Sequence, residues 1–217
     1  MVTALAVTAG VVGLLVGHLA NRAAGRFPDG ADAERTVAVR PPAVELGTAG
    51  LFVLAALRFE LSWVLPAFLF LAAAGVLLGV IDLQHRLLPN RIVVPAIGIA
   101  AGLLAVAAAA EQDGAALLRA ALGAVVLFAV FLVLALIAPG GLGMGDVKLA
   151  ALIGLHLGWL GWNAVLVGAA AGFVVQAAVA LVLLATRRIG LRGELPFGPA
   201  MLLGTALAIG WSDALLR

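Results

Sequence analysis

The sequence lacks cysteine and tyrosine altogether and has few charged residues, which form only 11% of its 217 positions. Without cysteine, the chain cannot form disulfide bonds or thiolate metal sites. Its histidines are scattered at His18, His85 and His156, and no two of them have the spacing of metal ligands. The sequence therefore predicts neither a bound metal nor a cofactor.

Apolar residues dominate what is present, since 65% of the chain is hydrophobic and the mean hydropathy is +1.21. A helix needs about 20 mostly apolar residues to cross a bilayer. The pattern predicts an all-α, polytopic transmembrane helix bundle that forms one domain over 1–217, because no barrel-like alternation occurs. Eight spans are expected, at 2–20, 43–58, 62–81, 92–110, 115–138, 147–159, 161–185 and 196–214. Two of them, 43–58 and 147–159, are short enough to be half-helices or re-entrant segments.

The distribution of basic residues predicts the orientation of the bundle. With the N-terminus outside the cytoplasm, ten basic residues fall on the cytoplasmic side and three outside, as the positive-inside rule requires. The three outside are Arg58, Arg119 and Arg217. The segment 21–42 then becomes a short cytoplasmic loop. The basic residues form no dense cluster, so we expect no nucleic-acid partner.

Within the predicted spans, five pairs of glycines have the GxxxG spacing, which is typical of close helix packing in lipid. No longer repeat is visible. The pairs are Gly13/Gly17, Gly75/Gly79, Gly98/Gly102, Gly154/Gly158 and Gly168/Gly172.

Two aspartates stand at predicted membrane boundaries. Asp82 ends the third span and Asp146 begins the sixth. The two spans between them return the chain to the face that it left, so both aspartates are expected on the cytoplasmic side. Ionisable residues at this depth indicate function by default, although a boundary aspartate can also simply cap a helix.

Paired carboxylates can hydrolyse a peptide bond when one is ionised and the other protonated, because the first activates water while the second polarises the carbonyl. The glycines before Asp146 would let an extended substrate backbone approach, or would simply form a flexible turn. A phosphate-binding loop is excluded, since Asp146-Val147-Lys148 follows Gly145 where Lys-Ser/Thr is required.

These two elements resemble those of the type IV prepilin peptidases, a family of GxGD intramembrane aspartic proteases. "GMGD", residues 143–146, is similar to the second catalytic element of that family, and "IDLQHRLLPNRIVVP", residues 81–95, is similar to the first. The resemblance implies that Asp82 and Asp146 are catalytic. It also implies that Gly143, Gly145, Lys148, Pro89 and Asn90 shape the site or bind substrate.

Three further stretches resemble the family in the same order along the chain, so that the resemblance runs from about residue 17 to 204. "GHLANRAAGRFP" carries Asn21 and Arg26, "PAVELGTAGLF" carries Glu45, and "ELPFGPAMLLG" carries Pro196, Phe197, Gly198 and Pro199. The resemblance implies site-shaping or substrate-binding roles for them. Each has a simpler structural explanation as a helix end, a helix-dipole charge or a helix break.

The resemblance implies cleavage of the leader of prepilin or pseudopilin substrates, after a glycine, at the cytoplasmic face of a bacterial or archaeal inner (plasma) membrane. The protein would be in contact with membrane lipid, and basic leader residues could be drawn by the acidic site. Many members carry two Cys-x-x-Cys pairs that bind zinc and are associated with N-methylation. This chain has none, so the resemblance extends to the peptidase and leaves methyltransferase activity without support.

Two alternatives use the same residues differently. In a proton-coupled transporter, Asp82 and Asp146 would relay protons along a bundle cavity, but no inverted repeat accompanies them. In a non-enzymatic component of pilus assembly, neither aspartate would be required. The sequence does not indicate the oligomeric state.

Overall fold

The computed structural model of the chain describes residues 1–27, 37–137, 142–188 and 195–215. These residues form eight α-helices and no strand, which confirms the prediction of an all-α bundle. The helices are α1 (Val2–Gly25), α2 (Ala43–Phe59), α3 (Leu65–His85), α4 (Asn90–Glu111), α5 (Gly114–Ile137), α6 (Met144–Leu160), α7 (Trp162–Ala185) and α8 (Gly198–Leu215).

Five of the described helices, α1, α3, α4, α5 and α7, are long and apolar enough to cross a membrane. The chain is therefore a multi-pass membrane protein. Helices α2 and α6 have only 17 residues each, or about 25 Å at 1.5 Å per residue. That length is less than the hydrocarbon core of about 30 Å, which fits the prediction that these two segments are short enough to be half-helices or re-entrant segments.

The helix boundaries follow local chemistry. Pro66 lies in the first turn of α3, where a missing N–H costs no hydrogen bond. Helix α3 ends at Arg86, whose φ of 51° and ψ of 41° are left-handed, and Pro89 precedes α4 in an extended conformation. Helix α1 runs to Gly25, so the first residues of the predicted loop 21–42 are helical.

Helices α1 and α2 pack along each other, as do α5 with α6 and α7 with α8. Helix α6 lies innermost, with almost every residue from Val147 to Trp159 buried. His156 is fully buried, and its ring nitrogens lie 2.9 Å from Leu152 O and 3.1 Å from Ala67 O. The ring of His156 therefore joins α6 to α3 within the core.

The glycine pairs differ in their surroundings. A Cβ at Gly13 or Gly17 would lie within 2.8 Å of the α2 backbone, and Gly154 and Gly158 are equally close to the backbone of α5. Gly172 contacts Gly204 of α8, while Gly168 faces Leu157 of α6. Gly75 and Gly79 meet only the side chain of Leu202, and Gly98 and Gly102 have no atom within 4 Å of a built Cβ. Close packing was therefore the wrong prediction for Gly98 and Gly102.

Candidate active site

The C-terminal end of α3 and the N-terminal ends of α4, α6 and α8 meet at one end of the bundle. Asp82 lies in the last turn of α3 and is 5% exposed. Its Oδ2 accepts a hydrogen bond from the backbone N–H of Gly198 at 3.0 Å. Because Gly198 is the first residue of α8, the positive end of that helix faces the carboxylate.

Gly198 has a steric reason to be glycine. A Cβ at this position would lie 2.7 Å from Asp82 Oδ2 and 3.3 Å from Asp82 Cγ. The backbone of α8 could not approach the carboxylate so closely if residue 198 carried a side chain. The break between α7 and α8 that the sequence predicts at Pro196–Pro199 thus brings a backbone donor to Asp82.

Asp146 is the third residue of α6. Its Oδ2 accepts a hydrogen bond from the N–H of Gly143 at 3.0 Å, and its own N–H donates to Gly143 O at 3.0 Å. The side chain therefore caps the start of the helix.

Both aspartates line one cavity of about 560 Å³, a volume within the range of ligand pockets. The structure thus brings the two aspartates to one site. Their convergence agrees with the argument from the even number of intervening spans. The cavity is also lined by Phe27, Arg86, Leu87, Leu88, Pro89, Asn90, Arg91, Gly143, Met144 and Gly145.

Two contacts hold the segment before α4 against the start of α6. A Cβ at Gly145 would lie 2.7 Å from Leu88 Cβ and 3.3 Å from Leu88 O, so only glycine lets the two segments come this close. Lys148 Nζ donates to Asn90 Oδ1 at 2.7 Å. Gly145, Lys148 and Asn90 thus join the two aspartate-bearing segments to each other.

Asn21 and Glu45 lie in a separate cluster that does not line the cavity. The side chain of Asn21 accepts from Val39 N and donates to Val39 O, both at 2.8 Å, and also donates to Glu45 Oε1 at 3.3 Å. His18 Nδ1 lies 3.4 Å from the same carboxylate oxygen. Gln84 of α3 donates to Ala38 O at 2.6 Å, so this cluster fastens residues 38–39 to both α1 and α3.

Four other sequence-predicted residues lie away from the cavity. Arg26 is exposed at the end of α1, and Phe197 is buried with its ring 6.1 Å from Phe131 and 5.1 Å from Phe173. Pro196 and Pro199 are partly buried beside Gly198. Pro28, the last residue of "GHLANRAAGRFP", lies outside the described residues.

The sequence did not single out Phe27, Arg86, Leu87, Leu88, Arg91 or Met144, yet all of them line the cavity. Arg86 to Leu88 lie between Asp82 and Pro89, and Met144 lies inside GMGD. Their positions within the two aspartate elements could therefore have identified them as site residues. Phe27 lies one residue beyond Arg26 in its stretch. Only the three-dimensional structure brings that ring to the two aspartates.

In the four described ranges, no group of three or more His, Cys, Asp or Glu side chains could hold a metal ion. The chemistry that this cavity offers is that of two carboxylates beside glycines and arginines. Two such carboxylates can divide general-acid and general-base work between them.

Comparison with known proteins agrees with this arrangement of residues. Residues 63–216 match the model of the type IV leader peptidase family. A prepilin leader peptidase/N-methyltransferase from Bacillus subtilis is 36% identical over 179 residues, which cover 81% of this chain and 67% of that protein. The Pseudomonas aeruginosa protein of the same name is 31% identical over 181 residues, covering 82% and 60%.

A third relative with that name, from Stutzerimonas stutzeri, is 30% identical over 181 residues, which cover 82% of this chain and 61% of the relative. The chain thus spans 60% to 67% of the length of these three relatives. No solved structure matches it. From the family match over residues 63–216 and the identity to these relatives, we conclude that this chain belongs to the type IV leader peptidase family.

Proposed function

We propose that the chain is a membrane-embedded aspartic endopeptidase that removes the leader of type IV prepilin-like proteins. The observation that carries this proposal is the presence of Asp82 and Asp146 in one cavity. The relatives named as prepilin leader peptidases support the choice of substrate. The cleavage would take place at the cytoplasmic face of the inner membrane.

Hydrolysis would begin with one carboxylate ionised and the other protonated. The ionised group takes a proton from a water molecule, which attacks the carbonyl carbon while the protonated group donates a hydrogen bond to the carbonyl oxygen. The C–N bond of the tetrahedral intermediate then breaks, and the nitrogen receives a proton. The products are a leader with a new carboxylate and a mature protein with a new amine.

The surroundings of each aspartate fit such a reaction. Gly198 and Gly143 donate backbone N–H groups to Asp82 and Asp146, which fix one oxygen of each carboxylate. Gly143 and Gly145 carry no side chain that would block an extended peptide beside Asp146. A cavity at the end of the bundle would let the apolar helix of the substrate stay in lipid while its leader reaches the site.

The sequence has no cysteine, so it lacks the zinc module that is associated with N-methylation in many family members. We propose peptidase action alone. The two relatives are named for both activities.

The proposal is tested by mixing the purified protein, in detergent, with a prepilin-like protein that carries its leader. Mass spectrometry of the products locates the cut. We expect cleavage after a glycine by the wild type, and none by the Asp82→Asn or Asp146→Asn variants. Asparagine keeps an oxygen that can accept the glycine N–H, so the helix ends should be preserved.

Asp113→Asn is the matched control. Asp113 also caps a helix, since its Oδ1 accepts from Ala116 N at 2.9 Å, but it does not line the cavity. This variant should cleave like the wild type. Full cleavage by either site variant would remove that residue from the mechanism, and intact substrate in every sample would favour a transporter or a non-enzymatic assembly component.

A further inference from the structure

The cavity contains positive as well as negative groups. Arg86 and Arg91 line it together with Asp82 and Asp146. The sequence led us to expect an acidic site that attracts the basic residues of a leader. Two guanidinium-bearing residues beside two carboxylates balance that charge, so the cavity also suits an anionic group.

The backbone at the end of α3 positions Arg86, and a neighbouring aromatic ring positions Arg91. Arg86 is the left-handed residue that ends α3, and its N–H donates to Asp82 O at 2.8 Å. The guanidinium carbon of Arg91 lies 5.6 Å from the ring centre of Phe27, at cation–π distance. The ring of Phe27 is contacted edge-on by His85, with the centroids 5.6 Å apart. Arg91 is therefore held against a wall of the cavity.

The start of α4 strengthens the preference for an anion. Arg91 is the second residue of α4, and Asn90, the first, also lines the cavity. The first turn of a helix carries the positive end of the helix dipole. A negatively charged group beside Arg91 would thus meet both a guanidinium group and a helix N-terminus.

Peptide hydrolysis produces such a group. Cleavage turns a neutral amide into a carboxylate, and this carboxylate appears between two aspartates, at least one of which is ionised. Like charges repel, whereas a guanidinium group binds a carboxylate through two parallel hydrogen bonds. In a site that carries out this reaction, an arginine on the acyl side of the scissile bond would stabilise the new carboxylate.

We propose that Arg91, assisted by Arg86, binds the C-terminal carboxylate of the cleaved leader. This inference rests on the proposed peptidase function. The arginines hold the leader product after the bond has broken, so the free leader acts as a competitive inhibitor whose affinity depends on its terminal charge.

The test compares two synthetic leader peptides of one sequence, one ending in a glycine carboxylate and the other in a glycine carboxamide. Their inhibition constants are measured in the cleavage assay. For the wild type, we expect the carboxylate form to bind roughly tenfold more tightly, as is typical of a charged hydrogen bond. In the Arg91→Gln variant, the ratio should fall to about one, and Arg91→Lys should restore part of it.

Arg22→Gln is the matched control, because Arg22 is exposed on the last turns of α1 and does not line the cavity. It should keep the wild-type ratio. Equal inhibition by both peptides in the wild type would overturn the inference, as would an unchanged ratio in Arg91→Gln. In both cases substrate cleavage continues, whereas a failure of the proposed function itself would show as no cleavage by the wild type.

Discussion

At the scale of single residues, each of the two aspartates is fixed by a glycine. The N–H of Gly198 reaches Asp82 across 116 residues of sequence, and the N–H of Gly143 reaches Asp146 within one helical turn. These bonds hold one oxygen of each carboxylate in place. Two carboxylates whose charges interact strongly titrate as a pair rather than separately.

The pH dependence of cleavage should reflect that pairing. Because the reaction needs one ionised and one protonated carboxylate, the rate should fall at low pH, where both are protonated, and at high pH, where both are ionised. The measurement is kcat/KM across the pH range in which size-exclusion chromatography shows an intact protein. A flat profile would be inconsistent with a shared proton.

Replacing Gly198 by alanine should impair catalysis more than folding. The added Cβ would lie 2.7 Å from Asp82 Oδ2, so the carboxylate must move. A displacement of about 1 Å can lower the rate about 100-fold. We expect kcat of Gly198→Ala to fall by about 10- to 100-fold, with a smaller change in KM, in steady-state assays.

Gly114→Ala is the control for that experiment. Gly114 is also the first residue of a helix, and a Cβ there has no atom within 4 Å. It should keep the kcat of the wild type. A Gly198→Ala variant that is as active as Gly114→Ala would contradict the close contact between α8 and Asp82.

At the scale of the elements, the sequence predicted the number and order of the helices well because long apolar runs have one stable form in lipid. The boundaries were less certain where polar residues continue a helix. Asn21 illustrates this, since it lies inside α1 although hydropathy ended the span before it. Its side chain is buried because it bonds the backbone of Val39, a contact between distant segments that hydropathy does not report.

The glycine pairs show a similar limit. The same GxxxG spacing occurs in close packing at Gly154 and Gly158 and in open surroundings at Gly98 and Gly102. The spacing places small residues on one face of a helix, and the neighbouring helices decide what that face contacts. The pattern alone therefore cannot tell a helix–helix contact from a surface that faces lipid.

The contact between α5 and α6 should determine stability. A Cβ at Gly154 would collide with the backbone of Gly123, so Gly154→Ala must separate two helices that pack along each other. Overpacking of this kind costs about 1–3 kcal/mol. We expect a lower unfolding temperature in detergent for this variant.

Gly102→Ala provides the comparison, since its Cβ would meet no atom within 4 Å. It should unfold at or slightly above the wild-type temperature, because alanine favours helix over glycine. Equal unfolding temperatures for Gly154→Ala and Gly102→Ala would contradict the packing of α5 on α6.

At the scale of the whole molecule, four helix ends form the site, and the sequence indicated all four of them. The two aspartate elements mark the ends of α3 and the starts of α4 and α6, and the Pro-Phe-Gly-Pro stretch marks the start of α8. What the sequence could not give is which residues of these elements turn inward. Phe197 packs against Phe131 and Phe173, while its neighbour Gly198 contacts Asp82. Which of these two neighbouring residues faces the aspartate depends on the packing of α8 against α3.

The predicted orientation, with the N-terminus outside the cytoplasm, can be tested directly because the chain has no cysteine of its own. Single cysteines replace Arg40 and Gln112, both of which are exposed. A membrane-impermeant thiol reagent added to intact cells should label Gln112→Cys, and should label Arg40→Cys only after permeabilisation. The reverse pattern would place the cavity on the outer face.

The central claim is that Asp82 and Asp146 act as one catalytic unit. The most direct measurement is a double-mutant cycle of cleavage rates for wild type, Asp82→Asn, Asp146→Asn and the double variant. Residues that work as a unit are strongly non-additive. We predict that each single variant falls to background and that the double variant falls no further, whereas independent, additive losses or a single variant at the wild-type rate would contradict the account.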